Sequence, residues 1–158
     1  MAANRANIGW YLDNQIGGED DRITGRVYEK TVKLTSAELL ALRAAPKELV
    51  AAPGLGQVLQ FVSAVGFLDY NSAVYANNGE LTIRYTDNSG TAVSDAVANT
   101  ALFHQGDDCY EEFGKVDPDA ELELTVNAAL VLSEGTGEAI TGDSPMTIKI
   151  FYRILDFN

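Results

Sequence analysis

The stretch from His104 to Glu112 concentrates side chains that can bind metals or take part in catalysis. Nucleophilic catalysis needs a base beside the nucleophile, and the chain has a single histidine, His104, and a single cysteine, Cys109. No serine lies in a G-x-S-x-G element, so these two residues form the only candidate nucleophile–base pair. Five positions apart in a polar, acidic stretch, they indicate a surface loop with no joint chemical role.

Metal and nucleotide sites also lack their usual signatures. The stretch 104–112 has potential ligands, but their spacing matches neither a zinc site nor a calcium loop. Asp87-Asn88-Ser89-Gly90 is only a fragment of the calcium pattern and predicts a turn. Gly54-Leu55-Gly56 and Gly135-Thr136-Gly137 lack the lysine and the following helix of a phosphate-binding loop. We therefore expect no metal, no cofactor and no enzymatic activity.

The charge of the chain limits its partners. The formal net charge is −12 and the pI is near 4.3, so close approach to a nucleic-acid backbone is repulsive. The lysines and arginines are scattered among acidic residues, and no apolar run approaches the roughly 20 residues of a membrane helix. The N-terminus lacks the order of a signal peptide. We expect no nucleic-acid partner, no membrane partner and no secretion.

The first half of the chain predicts three strands, one before and two after a short helix. Residues 26–34 alternate between apolar and polar side chains, as in a half-buried strand. Thr35 and Glu38 have the spacing of a capping box, which predicts a helix over Thr35–Arg43 that ends before Pro46. After an extended segment at 48–52 and a turn at 53–56, the apolar stretch 58–68 predicts a strand in the middle of a sheet.

The second half predicts further strands and turns. Asn77-Asn78-Gly79 predicts a tight hairpin that joins Ala73–Ala76 to Glu80–Thr86. Helical spacing within 91–101 suggests a second helix. Extended segments at 121–126 and 128–132, a Gly-rich loop at 133–145 and a final strand at 146–157 complete the chain. About eight strands joined by short turns predict an all-β, antiparallel β-sandwich of jelly-roll type over residues 26–158, with one short helix.

Residues 1–25 are predicted to form an extended N-terminal arm outside this domain. They contain Gly17-Gly18, the acidic run Glu19-Asp20-Asp21 and isolated apolar residues. Aromatic residues are rare in disordered tails, so the apolar group must fold back on its own domain or insert into a neighbouring subunit. The candidate protein-interface residues are Ile8, Trp10, Tyr11, Leu12 and Ile16.

Four stretches together resemble a known class of proteins. VKLTSAELLALRAAPKELVAAPGLGQVLQ, LDY, NNGELTIRYTDNSGTAVS and the ending MTIKIFYRILDF resemble small proteins encoded in the structural modules of tailed bacteriophages. These are capsid cement or decoration proteins of jelly-roll type. The resemblance spans about Val32 to Phe157, and its motifs are packing and turn motifs.

The resemblance implies a structural virion protein that is made in the bacterial cytoplasm and located on the capsid surface. It would bind the major capsid protein, stabilise contacts between capsid subunits and form a homo-oligomer, a trimer before a dimer. One alternative is a carbohydrate- or receptor-binding sandwich module of a phage tail or fibre, with Tyr70, Tyr75 and Tyr85 stacking on sugars. A cupin-type enzyme is a third, which the single His104 opposes because cupins bind metal through several histidines.

Overall fold

The computed structural model describes residues 26–76, 79–116 and 123–157 as seven strands and one helix. In chain order these are β1 (Tyr28–Leu34), α1 (Ser36–Leu40), β2 (Lys47–Val50), β3 (Gln57–Leu68), β4 (Leu81–Tyr85), β5 (Cys109–Phe113), β6 (Leu130–Glu134) and β7 (Met146–Asp156). All strand pairs are antiparallel, and the strands form two sheets, which confirms the predicted all-β sandwich. The predicted arm lies outside the described residues.

Successive strands along the chain alternate between the two sheets. One sheet has the order β1-β7-β3-β5 and the other has the order β2-β6-β4. The segment 92–97 adds to the free side of β4 through the bridges Arg84–Ala92 and Leu81–Val97. With this segment counted as an irregular strand, the arrangement is that of two four-stranded sheets in a jelly roll.

The hairpin predicted at Asn77-Asn78-Gly79 is wrong in its strand pairing. Asn77 and Asn78 lie outside the described residues, but β4 pairs with β6 and not with the stretch before the turn. Ala76 instead bridges to Thr141. β4 forms its hairpin with the segment 92–97 instead. The predicted turn Asp87-Asn88-Ser89-Gly90 closes it, and the Asp87 carboxylate there accepts the backbone N–H groups of Ser89 and Gly90 at 2.8 and 3.1 Å. Asn-Gly spacing predicts a turn but not which strands it joins.

The second helix, suggested within 91–101, is also wrong. The backbone of residues 91–97 bonds mainly to β4 and not to itself: Val93 N–H donates to the Ile83 carbonyl at 2.9 Å, and Val97 N–H to the Leu81 carbonyl at 2.8 Å. The Ser94 hydroxyl accepts the Ile83 N–H at 2.9 Å where the ladder is interrupted. The buried side chains of Val93 and Val97 have helical spacing only because this irregular strand is interrupted between them.

Two strand boundaries also differ from the prediction. The predicted loop 104–112 ends in β5, because residues 109–113 pair with Ala64–Leu68. The predicted strand at 121–126 begins outside the described residues, and its described part makes only the bridge between Val58 and Val126. The extended segment predicted from Ala128 forms β6, which extends to Glu134.

The capping box is confirmed in full. The Thr35 hydroxyl accepts the Glu38 N–H at 3.3 Å, and the Glu38 carboxylate accepts the Thr35 N–H at 2.8 Å. Lys47 at the start of β2 pairs with the same carboxylate. The regular helix ends at Leu40, earlier than predicted, and a turn then carries Leu42 into the core beside Leu39.

A polar corner joins the start of the segment 71–76 to the loop before β7. The Asp143 carboxylate accepts hydrogen bonds from the N–H groups of Ser72 and Ala73 and from the side chains of Asn71 and Ser72. The Tyr75 hydroxyl donates to the Ser144 carbonyl, and its ring packs on Phe103 with centroids 4.7 Å apart. Gly142 lies at φ +118°, and a Cβ there would overlap the Tyr75 ring.

We expect Thr35→Ala to lower the free energy of unfolding by about 1 kcal/mol, because the Glu38 N–H loses its acceptor.

Lys47 and the Thr35 N–H hold the pKa of Glu38 at about 2, below its usual 4.5. A depressed carboxyl pKa stabilises the fold above the unfolded pKa and loses that contribution as the pH falls toward 2. Urea denaturation of Glu38→Gln should therefore show a deficit at neutral pH that disappears in acid. Equal deficits at both pH values would contradict this account.

We expect Gly142→Ala to lower the free energy of unfolding by at least about 2 kcal/mol, because it combines a positive φ with an overlap on a buried ring. The matched control is Gly106→Ala, since a Cβ at Gly106 meets nothing within 4 Å. The control should change stability by no more than about 0.5 kcal/mol. Thermal unfolding of both variants, followed by circular dichroism, measures the difference; similar melting temperatures would disprove the predicted overlap.

Candidate interaction surface on the four-stranded sheet

The outer face of the four-stranded sheet is defined by the register of β7 with its neighbours. Ile148 and Ile150 point into the core, so the alternate residues of β7 point outward. Directly paired residues of antiparallel strands face the same side, which places Glu29, Val65, Phe67 and Tyr110 on the outer side as well. We call this side of β1-β7-β3-β5 the outer face. It carries Val27, Glu29, Thr31, Lys33, Val58, Gln60, Ser63, Val65, Phe67, Tyr110, Glu112, Val126, Thr147, Lys149, Phe151, Arg153, Leu155 and Phe157.

The outer face is unusually apolar for the exposed side of a sheet. Eight large hydrophobic side chains are exposed in the described residues, and five of them lie on this face: Val27, Val65, Tyr110, Val126 and Phe157. The rings of Phe67 and Tyr110 stack with centroids 4.7 Å apart, and Tyr110 remains 69% exposed. Phe151 and Leu155, which are half-buried, connect the two ends of the face. Several exposed apolar side chains grouped on one sheet face are typical of an interaction site.

The charges on the outer face differ from those of the whole chain. Lys33, Lys149 and Arg153 lie on it, against Glu29 and Glu112, in a protein with 11 basic and 23 acidic residues. Lys149 pairs with Glu29 at 2.9 Å across β1 and β7. The Nε of Arg153 is buried and makes no hydrogen bond within the part of the chain described here. The face is therefore slightly basic on a strongly acidic molecule.

The candidate interface residues Ile8, Trp10, Tyr11, Leu12 and Ile16 all lie outside the described residues. Their role stays a prediction. The outer face was not predicted as a site, because Val65, Phe67 and Phe151 belong to stretches that the sequence assigns simply to buried strands. A signal was present: β3 and the second half of β7 are apolar on both alternating sets of positions, more than a single core face requires.

Within the stretch His104–Glu112, the surroundings of Cys109 oppose a nucleophilic role. The Cys109 thiol points to the Leu102 carbonyl at 3.7 Å. Burial, together with Glu111 and Asp108, raises the pKa of this thiol, which opposes the thiolate form that a nucleophile needs. His104 is exposed in the turn before β5. Within residues 26–76, 79–116 and 123–157, no group of three or more metal-binding side chains is close enough to hold an ion.

The tyrosines proposed to stack on sugars are placed differently from that prediction. Tyr75 and Tyr85 are each 1% exposed, and their hydroxyls donate to the Ser144 and Leu59 carbonyls inside the sandwich. Burial raises the pKa of Tyr85 to about 12. Tyr70 is half-buried, and its hydroxyl donates to the Ser72 carbonyl. Two of the three residues therefore support the fold and are not available to a ligand.

Glu134 is the one buried acidic side chain among the described residues. It ends β6 opposite Leu81, on the core side, and is 2% exposed. One carboxylate oxygen accepts the Gly79 N–H at 2.9 Å, whereas the other has no hydrogen-bond partner within the described chain. Burial raises the pKa of Glu134, which the N–H groups of Gly79 and Ala139 and the charge of Arg43 oppose. Arg43, Asn88 and Glu138 line an open pocket beside it.

Comparisons of the chain with protein-family models, with curated proteins and with solved structures find no match. The described residues contain no helix with the length and apolar character needed to cross a membrane.

We expect Glu134→Gln to stabilise the protein at neutral pH, because glutamine keeps the acceptor for the Gly79 N–H without a buried charge. A raised carboxyl pKa gives stability that is present at low pH and is lost as the pH rises through the folded-state pKa. The advantage of the variant should therefore shrink as the pH falls toward 4.5, the ordinary value of this carboxyl.

Urea denaturation at several pH values measures this effect, and Glu134→Ala is the control. Alanine leaves the Gly79 N–H unpaired, so it should cost about 1–3 kcal/mol. A Glu134→Gln protein that is less stable than the unchanged chain at neutral pH, with a deficit that disappears in acid, would show that the charge itself is required.

Proposed function

We propose that this protein is a non-enzymatic assembly component, a cement or decoration protein of a tailed-bacteriophage head. It attaches to the capsid surface and stabilises contacts between neighbouring subunits of the major capsid protein. The observation that carries the proposal is the outer face, which groups five of the eight exposed large hydrophobic side chains of the described residues on a strongly acidic protein. The resemblance of Val32–Phe157 to phage decoration proteins supplies the class of partner.

The distribution of polar groups supports an assembly role over an enzymatic one. The carboxylates with depressed pKa values have structural partners: Glu38 caps α1, Asp87 forms a turn and Asp143 holds the polar corner. The Cys109 thiol is partly buried. These groups stabilise the fold, and their contacts account for their shifted pKa values without a substrate.

The apolar character of the outer face supports self-association as well as attachment. Exposed aromatic and aliphatic side chains at the centre of an interface contribute most of its binding free energy. We propose a homo-oligomer, with a trimer favoured over a dimer, because a protein that decorates an icosahedral shell usually matches a local symmetry axis. Light scattering on the isolated protein tests this, and a monomer at high concentration would count against it.

We expect Tyr110→Glu to weaken attachment to bare phage heads by about tenfold or more, because it introduces a charge beside the stacked Phe67. The matched control is Ile140→Glu, since Ile140 is 66% exposed but lies in the loop between β6 and β7. Co-sedimentation with heads that lack the protein measures both variants. Equal attachment of the two variants, or no attachment of the unchanged chain, would disprove the proposed role of the outer face.

A further inference from the structure

We propose that residues 8–16 of one copy bind to the outer face of a neighbouring copy, so that copies are joined head to tail. This inference rests on the proposed assembly function and names the partner at that surface: a second copy of the same chain, so that the outer face contributes to head attachment by linking neighbouring copies on the shell. Five observations support it, from the shape, polarity and charge of the face and from the pattern and length of the N-terminal segment.

The outer face has the dimensions of a site for an extended segment. It follows β7, whose 11 residues span about 36 Å at about 3.3 Å per residue. Apolar side chains continue along this length, from Phe67 and Tyr110 at one end to Leu155 and Phe157 at the other. An extended peptide of nine residues, such as 8–16, is about 30 Å long and fits within it.

The N-terminal segment has the matching pattern. Ile8, Trp10 and Leu12 occupy alternate positions, and Ile16 continues the same set after Asn14. In an extended chain, alternate residues share one side, so these four side chains would form a single apolar stripe. A partly apolar sheet face can bury such a stripe.

Charge complementarity favours one side of the face for the acidic part of the N-terminal segment. The acidic run Glu19-Asp20-Asp21 follows the apolar stripe. The outer face carries Lys33, Lys149 and Arg153, and the buried Nε of Arg153 has no acceptor in the described chain. Opposite charges steer association and determine register. The acidic run would therefore lie toward the β1–β7 side of the face.

The position of the segment in the chain allows contact between copies. It continues into β1, the edge strand of the same sheet, and residues 17–27 between them can span about 36 Å. Each copy thus offers one segment and one face. A contact between two different surfaces joins copies head to tail, and such contacts close into a ring when the rotation between copies allows it.

The experiment uses mixtures of two full-length variants in the absence of any shell. Trp10 is the single tryptophan, so its fluorescence reports on the segment alone. The first variant, Val65→Asp with Tyr110→Asp, has an intact segment and an impaired face. The second, Trp10→Ser, has an intact face and no tryptophan. Circular dichroism checks that both are folded, which we expect because Val65 and Tyr110 are exposed.

We expect Trp10 of the first variant alone to emit at long wavelength and to be quenched readily by iodide. Adding an excess of Trp10→Ser protein should move the emission to shorter wavelength and reduce quenching several-fold, because the intact face of the second copy receives the segment. Ile140→Asp is the control: its Trp10 should already be protected, and mixing should change nothing.

Three results would overturn the inference. Trp10 could be exposed in the unchanged protein at all concentrations. It could be protected in the Val65→Asp, Tyr110→Asp variant before mixing, which would place the segment elsewhere. It could also be protected in the unchanged protein but not recover on mixing, which would indicate binding to the face of its own chain. None of these results depends on attachment to heads, so a failure here is distinct from a failure of the proposed function.

Discussion

The antiparallel ladder between β3 and β7 is the constraint on which the rest of the structure depends. It extends from the pair Gln57–Asp156 to the pair Leu68–Met146 and forms the centre of the four-stranded sheet. β1 joins the free side of β7, and β5 joins the free side of β3. Because paired residues share a side, the register of this ladder, together with those of β1 on β7 and β5 on β3, determines which side chains of the four strands enter the core and which form the outer face.

An irregularity in this ladder makes the outer face possible. Phe61 pairs with Tyr152 and Ser63 with Phe151, so Val62 is an extra residue on β3. The bulge reverses the alternation: Leu59 and Phe61 point inward before it, and Ala64, Gly66 and Leu68 point inward after it. Without the extra residue, Val65 and Phe67 would point into the core, and the stack of Phe67 on Tyr110 could not form outside.

The sequence predicted the fold class because local signals agreed with the final pairing. Three local signals each had a single structural interpretation. They are the alternation of apolar and polar residues in β1 and β7, the capping box at Thr35 and the long apolar stretch of β3. The errors arose where pairing depends on distant parts of the chain: β4 pairs with β6 and not with the stretch before it, and residues 92–97 gain most of their backbone partners from β4. The outer face could not be predicted as a site because it depends on the register of four strands and on one bulge. The arm residues Ile8–Ile16 lie outside the described residues, so their role remains a prediction.

The opposite charges of the outer face and of the whole chain give a physical reason for selective assembly. A net charge of −12 keeps identical molecules apart at distances within a screening length of about 8 Å, and it discourages contact between arbitrary surfaces. Lys33, Lys149 and Arg153 make the outer face the place where an acidic partner meets the least repulsion. Apolar contact then supplies affinity at the same place. Long-range charge therefore selects the face, and short-range packing stabilises what binds there, so a mostly acidic protein can expose an apolar sheet without indiscriminate aggregation.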